Sequence, residues 1–458
     1  MADTAHETPG MLRDRTDRGG TVYLYAICII AAMGGLMYGF VLGVISGVVP
    51  FITDYFKLSP YQVGFAVGNL DLGCIVGALL AGIFSDRFGR KKALILTAIL
   101  FVISGVMTAI PRTFTELVIG RLIGGVAVGA SMISALYIAE VSPAGKRGLL
   151  VTLTQFGIVI GILATYITNW LLVDIGPHNW RWMFACGIFP AAIFLIGLFF
   201  IPESPRWLAK QGRIEKALAI LTRIGGARHA ETEMHEIQAA VENEKGSVWE
   251  LFRPGLRKAL IIGILISIFA QSVGINSVIY YAPIIFMKTG FENASAALFA
   301  VIMVGIINFI FTILAIITID KLGRKPLLMA GLAGMFLSMG TIGLFFQSDS
   351  ISASLILIPV LAFVGFYAMS LGPIAWVIVS EIFPNRIRGV AMAISMIALY
   401  LADFLVALTF PRMMDTFGHV TFFIFAGVCV LAFLFAWLIV FETKGKSLEE
   451  IEKMLMRT

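Results

Sequence analysis

Long apolar runs separated by short polar interruptions dominate the chain. A helix of about 20 mostly apolar residues crosses a bilayer core. Runs of that kind cover roughly 22–51, 62–84, 93–110, 116–139, 150–173, 182–201, 257–287, 296–318, 327–347, 353–380, 390–413 and 420–441. Backbone polar groups must be satisfied internally in hydrocarbon, so these runs predict helices. The expected fold is an all-α integral membrane protein of twelve transmembrane helices. Only the break between the sixth and seventh runs is long. Within it, Ile214, Ala217, Leu218, Leu221 and Ile224, then Met234, Ile237 and Val241, recur at helical spacing among acidic neighbours. Short amphipathic helices are predicted there, packed on the protein rather than in lipid. The expected organisation is a tail (1–21), a six-helix half (22–201), a helical linker (202–256), a second half (257–441) and a tail (442–458).

Composition agrees: 59% of residues are hydrophobic and 14% charged, against about a quarter charged in soluble domains. The net charge of +6 does not indicate nucleic acid, because the basic residues sort by side. One side collects Arg13, Arg87, Arg90, Lys91, Arg147, the basic set of the linker, Lys321, Arg324 and Arg388; the other holds only Lys57, Arg112, Arg181, Lys288 and Arg412. The positive-inside rule makes the rich side cytoplasmic, with both termini inside. The first run is too long for a cleavable signal. Four cysteines at unrelated spacings within apolar runs read as small core residues. No metal or cofactor is expected, since HExxH, GxSxG, a phosphate-binding loop and clustered Cys and His are all missing. An enzyme and an ATP-driven pump are thereby disfavoured, and the short tail after the last run disfavours a sensor.

The sequence repeats itself. Asp86-Arg87-Phe-Gly-Arg90-Lys91 after the second run matches Asp320-Lys-Leu-Gly-Arg324-Lys325 after the eighth, an offset of 234 (320 less 86). Glu140…Arg147 after the fourth matches Glu381…Arg388 after the tenth, an offset of 241 (381 less 140). Two related halves with a solute site between them near the midplane form a transporter arrangement. Charged pairs at helix ends can hold helices together, and if the halves rock they are expected to act as a latch. A channel has no need of such repeated latches.

On these residues the chain resembles the sugar porter family of the major facilitator superfamily over nearly its whole length. Further matching segments are Gly34-Gly-Leu-Met-Tyr38-Gly39, Gly120-Arg121, Trp180-Arg-Trp182, Pro202-Glu203-Ser-Pro-Arg206, Gln271-Ser-Val-Gly-Ile-Asn276, Tyr280-Tyr281, Gly372-Pro-Ile-Ala-Trp376 and Glu442-Thr-Lys-Gly445. The resemblance implies an alternating-access monosaccharide transporter. It also implies a sugar site of Gln155, Gln271, Asn276, Asn308 and Trp376, with Tyr38 and Tyr280. Amides that donate and accept suit hydroxyls, and an aromatic plate suits the C–H face of a sugar ring. The gate it implies comprises the repeated charged residues with Glu203, Arg206 and Glu442. A membrane setting with lipid contacts and a functional monomer complete the expectation.

Departures bear on selectivity and coupling. An amide common in the family is Ala270 here, another is Leu399, and the proline of the fourth-helix Pro-x-Tyr is Ala135. These leave a polyol or other non-sugar solute as an alternative. The first-helix Asp of proton-coupled members is Val41, and a sixth-helix carboxylate found in some aligns with Gly187. Facilitated diffusion follows from Val41. Against it stand three charges inside the runs, Asp71, Arg121 and Asp403, because intramembrane charges default to function. Asp71 is expected to partner Arg121 or to bind a proton, and Asp403, on an eleventh helix that the implied fold sets beside the second, to gate through protonation, unless either Asp is neutral or lines a water-filled cavity as a polar group. Proton–sugar symport is the alternative that the first reading supports.

Overall fold

The computed structural model describes residues 9–242, 250–251, 256–291, 293–348, 353–384, 387–444, 446 and 450. Arg386 and the tail from residue 451 lie outside the described residues, as does the Val241 side chain. Among the described residues, twelve helical spans are long and apolar enough to cross a membrane. The first three are α1 (Pro9–Phe56), α2 (Pro60–Phe88) and α3 (Arg90–Ala109). The fourth is broken into α4 (Phe114–Ala130) and α5 (Ile133–Val141), the fifth is α6 (Arg147–Leu172), and the sixth is broken into α7 (Asn179–Ala185) and α8 (Ile188–Phe200). Then come the linker helices α9 (Pro205–Lys210), α10 (Ile214–Gly225) and α11 (Ala227–Glu242). The seventh span is α12 (Leu256–Ser272) and α13 (Ile275–Lys288), followed by α14 (Ala294–Leu322) and α15 (Arg324–Gln347). The tenth is α16 (Ala353–Met369) and α17 (Leu371–Glu381); α18 (Arg388–Phe417) and α19 (Val420–Leu438) complete the fold.

Local chemistry sets several helix starts. Ser59 and Gln62 form a reciprocal capping box ahead of α2, with Pro60 at its first position. Thr113 caps α4, and Asn293 caps α14 by accepting from the Ala296 amide at 2.9 Å. Large apolar side chains such as Phe189 and Phe200 remain exposed at 72% and 75%, as a lipid-facing surface requires. The linker helices carry their own small core of Trp207, Leu208, Ala217, Leu221, Ala230, Met234 and Ile237. They lean on α1, where the Arg223 guanidinium sits 4.0 Å over the Tyr23 ring.

Spans one to six pack together, as do seven to twelve, and the two halves meet along α2–α18, α6–α14 and α1–α13. Along α2–α18 the backbones touch. A Cβ on Gly64 would lie 2.2 Å from the Leu408 carbonyl oxygen, and one on Gly68 would lie 3.1 Å from that of Phe404. We call the side bearing Asp86, Glu140, Asp320 and Glu381 the basic face, and the side where α1 ends and α2 begins the far face.

Candidate functional site

At the basic face the repeated motifs build the same structure twice. In the first half, Arg90 pairs with Asp86 at 2.8 Å and with Glu140 at 3.0 Å, and donates to the Ser85 carbonyl at 3.0 Å. In the second, Arg324 pairs with Asp320 at 3.0 Å and with Glu381 at 2.9 Å, and donates to the Ile319 carbonyl at 3.3 Å. Glu203 accepts from the Arg90 and Lys91 amides at 2.8 and 3.0 Å, so it caps α3 from outside the helix. Glu442 caps α15 in the same way through the Arg324 and Lys325 amides, each at 3.0 Å. Both caps rely on a left-handed glycine, Gly89 (φ 100°) and Gly323 (φ 94°), where a Cβ would strike the carboxylate at 2.2 and 2.7 Å. Burial pushes the Glu442 carboxyl up, but the Lys444, Arg324 and Lys325 amides with the Arg324 charge hold it below its ordinary value.

These pairs therefore tie helices within a half. Arg147 reaches Glu233 of α11 at 3.1 Å, Arg388 donates to the Phe383 carbonyl at 3.3 Å, and Arg87 lies 5.3 Å over the Phe88 ring. Arg206 begins the linker helix α9. The ion pairs of Arg90, Arg147 and Arg324 each lie within one half or between a half and the linker.

Near mid-depth the seventh span breaks at Gly274, whose φ is 92°. The break turns Gln271 and Asn276 toward each other, and Asn276 Nδ2 donates to Gln271 Oε1 at 3.1 Å. The same amide donates to Asp403 Oδ2 at 2.6 Å, and Tyr280 donates to that oxygen at 3.2 Å. Asp403 lies on α18 and Asp71 on α2, and the two helices bring them to the same level of the seam, where Gly68, one turn before Asp71, meets Phe404 and Ala407, which follow Asp403. Asp403 and Asp71 are 3% and 1% exposed. Tyr38 of α1 faces the pair. Four expected residues, Gln271, Asn276, Tyr280 and Tyr38, thus gather around a carboxyl pair at the junction of the halves.

The other expected sugar residues stand apart. Gln155 is exposed on α6 and Asn308 half-buried on α14; their neighbours Phe156 and Phe309 meet with centroids 5.2 Å apart, so both amides lie where these helices cross. Trp376 borders a small void with Ser267, Ser395 and Leu399. Ser267 and Leu399 each precede a cluster residue by one turn, so the void lies one turn toward the basic face from Gln271 and Asp403.

Arg121 is 2% exposed, and its hydrogen bonds run to backbone rather than to the Asp71 carboxyl. It donates to the Ala66 and Val67 carbonyls of α2 at 2.6 and 3.0 Å. Its other neighbours line a void of about 20 Å³ that includes Val41 and Gly187, room for about one water. The two positions whose expected carboxylates are missing thus share one small space beside this arginine.

Comparisons with known proteins agree with this architecture. A family model described as "Sugar (and other) transporter" matches residues 27–455. The chain is 42% identical over 444 residues to an arabinose-proton symporter of Bacillus subtilis (strain 168), covering 95% of this chain and 96% of that one. It is 41% identical over 473 residues to a D-xylose-proton symporter of Escherichia coli (strain K12), covering 94% and 96%. Among solved structures, the inward open conformation of the xylose transporter XylE from E. coli superposes with a TM-score of 0.83 at 39% identity, covering 94% of this chain and 99% of that one.

Proposed function

The chain belongs to the sugar (and other) transporter family, and from that premise we propose that it carries a pentose or hexose across a membrane by alternating access. The observation that supports this reading most directly is the broken seventh span, which sets Gln271 and Asn276 at mid-depth between the halves. Buried amides there are costly unless they serve a polar ligand or partner. Gln155 and Asn308 where α6 crosses α14, and the Trp376 ring, extend the site toward the basic face. In this reading the basic face is cytoplasmic in the cell (inner) membrane, both termini lie inside, and a single chain suffices, with lipid around it. The charged pairs at that face stiffen each half so that it moves as a unit.

Ala270 and Leu399 favour a second reading, a polyol or related solute, because Leu399 presents no hydrogen bond beside Trp376. Counterflow in proteoliposomes with labelled xylose, arabinose, glucose and a polyol separates the two. Exchange of none of the sugars would sink the proposal. Val41 by itself leaves facilitated diffusion as the simplest mode; the carboxyl pair at the junction of the halves bears on that point separately.

A further inference from the structure

The carboxyl pair at the centre of the α2–α18 seam has no role in sugar recognition as described above. Asp71 Oδ2 and Asp403 Oδ1 are buried without a hydrogen-bond donor. The other charged or titratable groups that face the pair among the described residues come from six helices. Arg121 comes from α4, Cys74 from α2, Tyr38 from α1, Tyr280 and Tyr281 from α13, Tyr400 from α18, and Tyr367 from α16. The charged residues of α3, α5 and α17 (Arg90–Lys92, Glu140 and Glu381) stand at the basic-face ends of those helices. Among the described residues the one cation facing the pair is Arg121, and its hydrogen bonds go to backbone carbonyls.

Charge counting then decides. Two ionised carboxylates against one guanidinium leave a buried net charge of −1, and the two anions also repel at contact. One shared proton removes the net charge, removes the repulsion and supplies the missing donor. The closed seam places the pair away from water, because Gly64 on Leu408 and Gly68 on Phe404 bring the backbones together between it and the far face.

We propose that Asp71 and Asp403 form one proton-binding site across the α2–α18 seam, whose occupation is required for the far face to close. Opening the seam separates the carboxyls and admits water, so the proton is taken from the far side as the halves come together. Asp403 also holds the Asn276 amide, which in turn holds Gln271. The proton site and the sugar amides are therefore one hydrogen-bonded chain, and sugar movement is tied to proton movement. This rests on the transporter reading above and replaces facilitated diffusion with symport through carboxyls other than a first-helix one.

The test uses purified full-length protein in proteoliposomes with labelled xylose and arabinose as probes. Counterflow needs no gradient and tests transport alone. Under an inside-alkaline gradient the wild type is expected to accumulate sugar, at most roughly tenfold per pH unit for one proton per sugar. Asp71→Asn is expected to exchange sugar still but to reach an accumulation ratio of unity. Counterflow without accumulation in the wild type, or accumulation that survives Asp71→Asn, overturns the proposal. If the wild type exchanges neither sugar, the transporter reading fails with both probes, and the proton site is judged on the wild-type protein by infrared spectroscopy. The carbonyl band of a protonated carboxyl is expected at neutral pH and is lost in Asp71→Asn and Asp403→Asn; its absence from the wild type overturns the site.

Discussion

Replacing Gly64 by alanine should jam the far face open. The added Cβ would lie 2.2 Å from the Leu408 carbonyl oxygen and 2.8 Å from its carbon, both backbone atoms of α18 that no rotamer change can move. Ordinary contact begins at 3.4 Å, so α2 and α18 must part by about 1.2 Å (3.4 less 2.2). Overpacking of this kind costs about 1–3 kcal/mol. The cost falls only on the state in which the seam is closed, so it moves the conformational equilibrium rather than simply lowering stability. At 1.4 kcal/mol per decade, about 2 kcal/mol shifts the populations roughly thirtyfold toward the open far face. A cysteine at Val63, which lines the far-face groove beside Tyr281 and Phe410, reports that state through an impermeant maleimide. The background is Cys186→Ser, because the other three native thiols are buried. Labelling should accelerate at least severalfold while sugar uptake falls. Gly82→Ala on the same helix is the control, since a Cβ there meets nothing within 4 Å. Unchanged labelling and uptake in Gly64→Ala would refute the view that this backbone contact seals the seam.

Asn276→Ala removes a donor from both Asp403 and Gln271; a loss of about 1–3 kcal/mol in detergent stability is expected, together with loss of sugar counterflow. Val41→Asp places a carboxyl in the void beside Arg121 and should be tolerated, whereas Val41→Asp with Arg121→Leu leaves a buried charge unpaired and should cost about 3–5 kcal/mol, read as lost folded yield by size-exclusion chromatography. Glu442 is held below its ordinary value of 4.5 by three amides and Arg324, so its stabilisation is complete above that pH and is lost as pH falls through the lower folded value. Glu442→Gln should therefore lower the melting temperature at neutral pH by an amount corresponding to about 1 kcal/mol or less, given its partial exposure. That difference should vanish on acidification; a difference that persists in acid contradicts the cap.

The spans were legible because length and hydropathy are local properties, and the repeat because its charged motifs are dense and in register. The breaks were less so. Gly274 sits inside an apolar run with nothing beside it to mark a left-handed residue, although that kink is what brings Gln271 to Asn276. Glu203 and Glu442 read as gate charges, while their geometry makes them helix caps on distant segments; a glycine before each paired helix, Gly89 and Gly323, was the available signal. Asp71 and Asp403 stood out singly as charges within apolar runs. The implied fold set their helices side by side, but not the two residues at one level, because that depends on how α2 crosses α18 and no short-range pattern encodes a contact between residues so far apart in the chain. Arg121 faces the carboxyl pair, but its hydrogen bonds go to two carbonyls, since an arginine fork can satisfy itself on backbone oxygens when those lie on the helix packed against it.

The repeat also shows what the carboxyl pair adds. The α2–α18 seam has a counterpart in α6–α14, formed by the matching spans of the opposite halves. By the repeat offsets, Asp71 corresponds to Gly305 (71 plus 234) and Asp403 to Ile162 (403 less 241). Gly305 packs on Tyr166 and Leu163, so that stretch of the counterpart seam is close-packed and carries no acid. Phe156 on Phe309 and Trp170 on Phe299 continue it with aromatic contacts. A seam of this kind opens and closes with no change in charge and no dependence on pH. Two related halves thus supply a hinge on one side that is indifferent to protons and, on the other, a joint that in the proposed mechanism cannot close without one. Coupling then requires no first-helix carboxylate: it requires only that one of the two joints bury an odd charge.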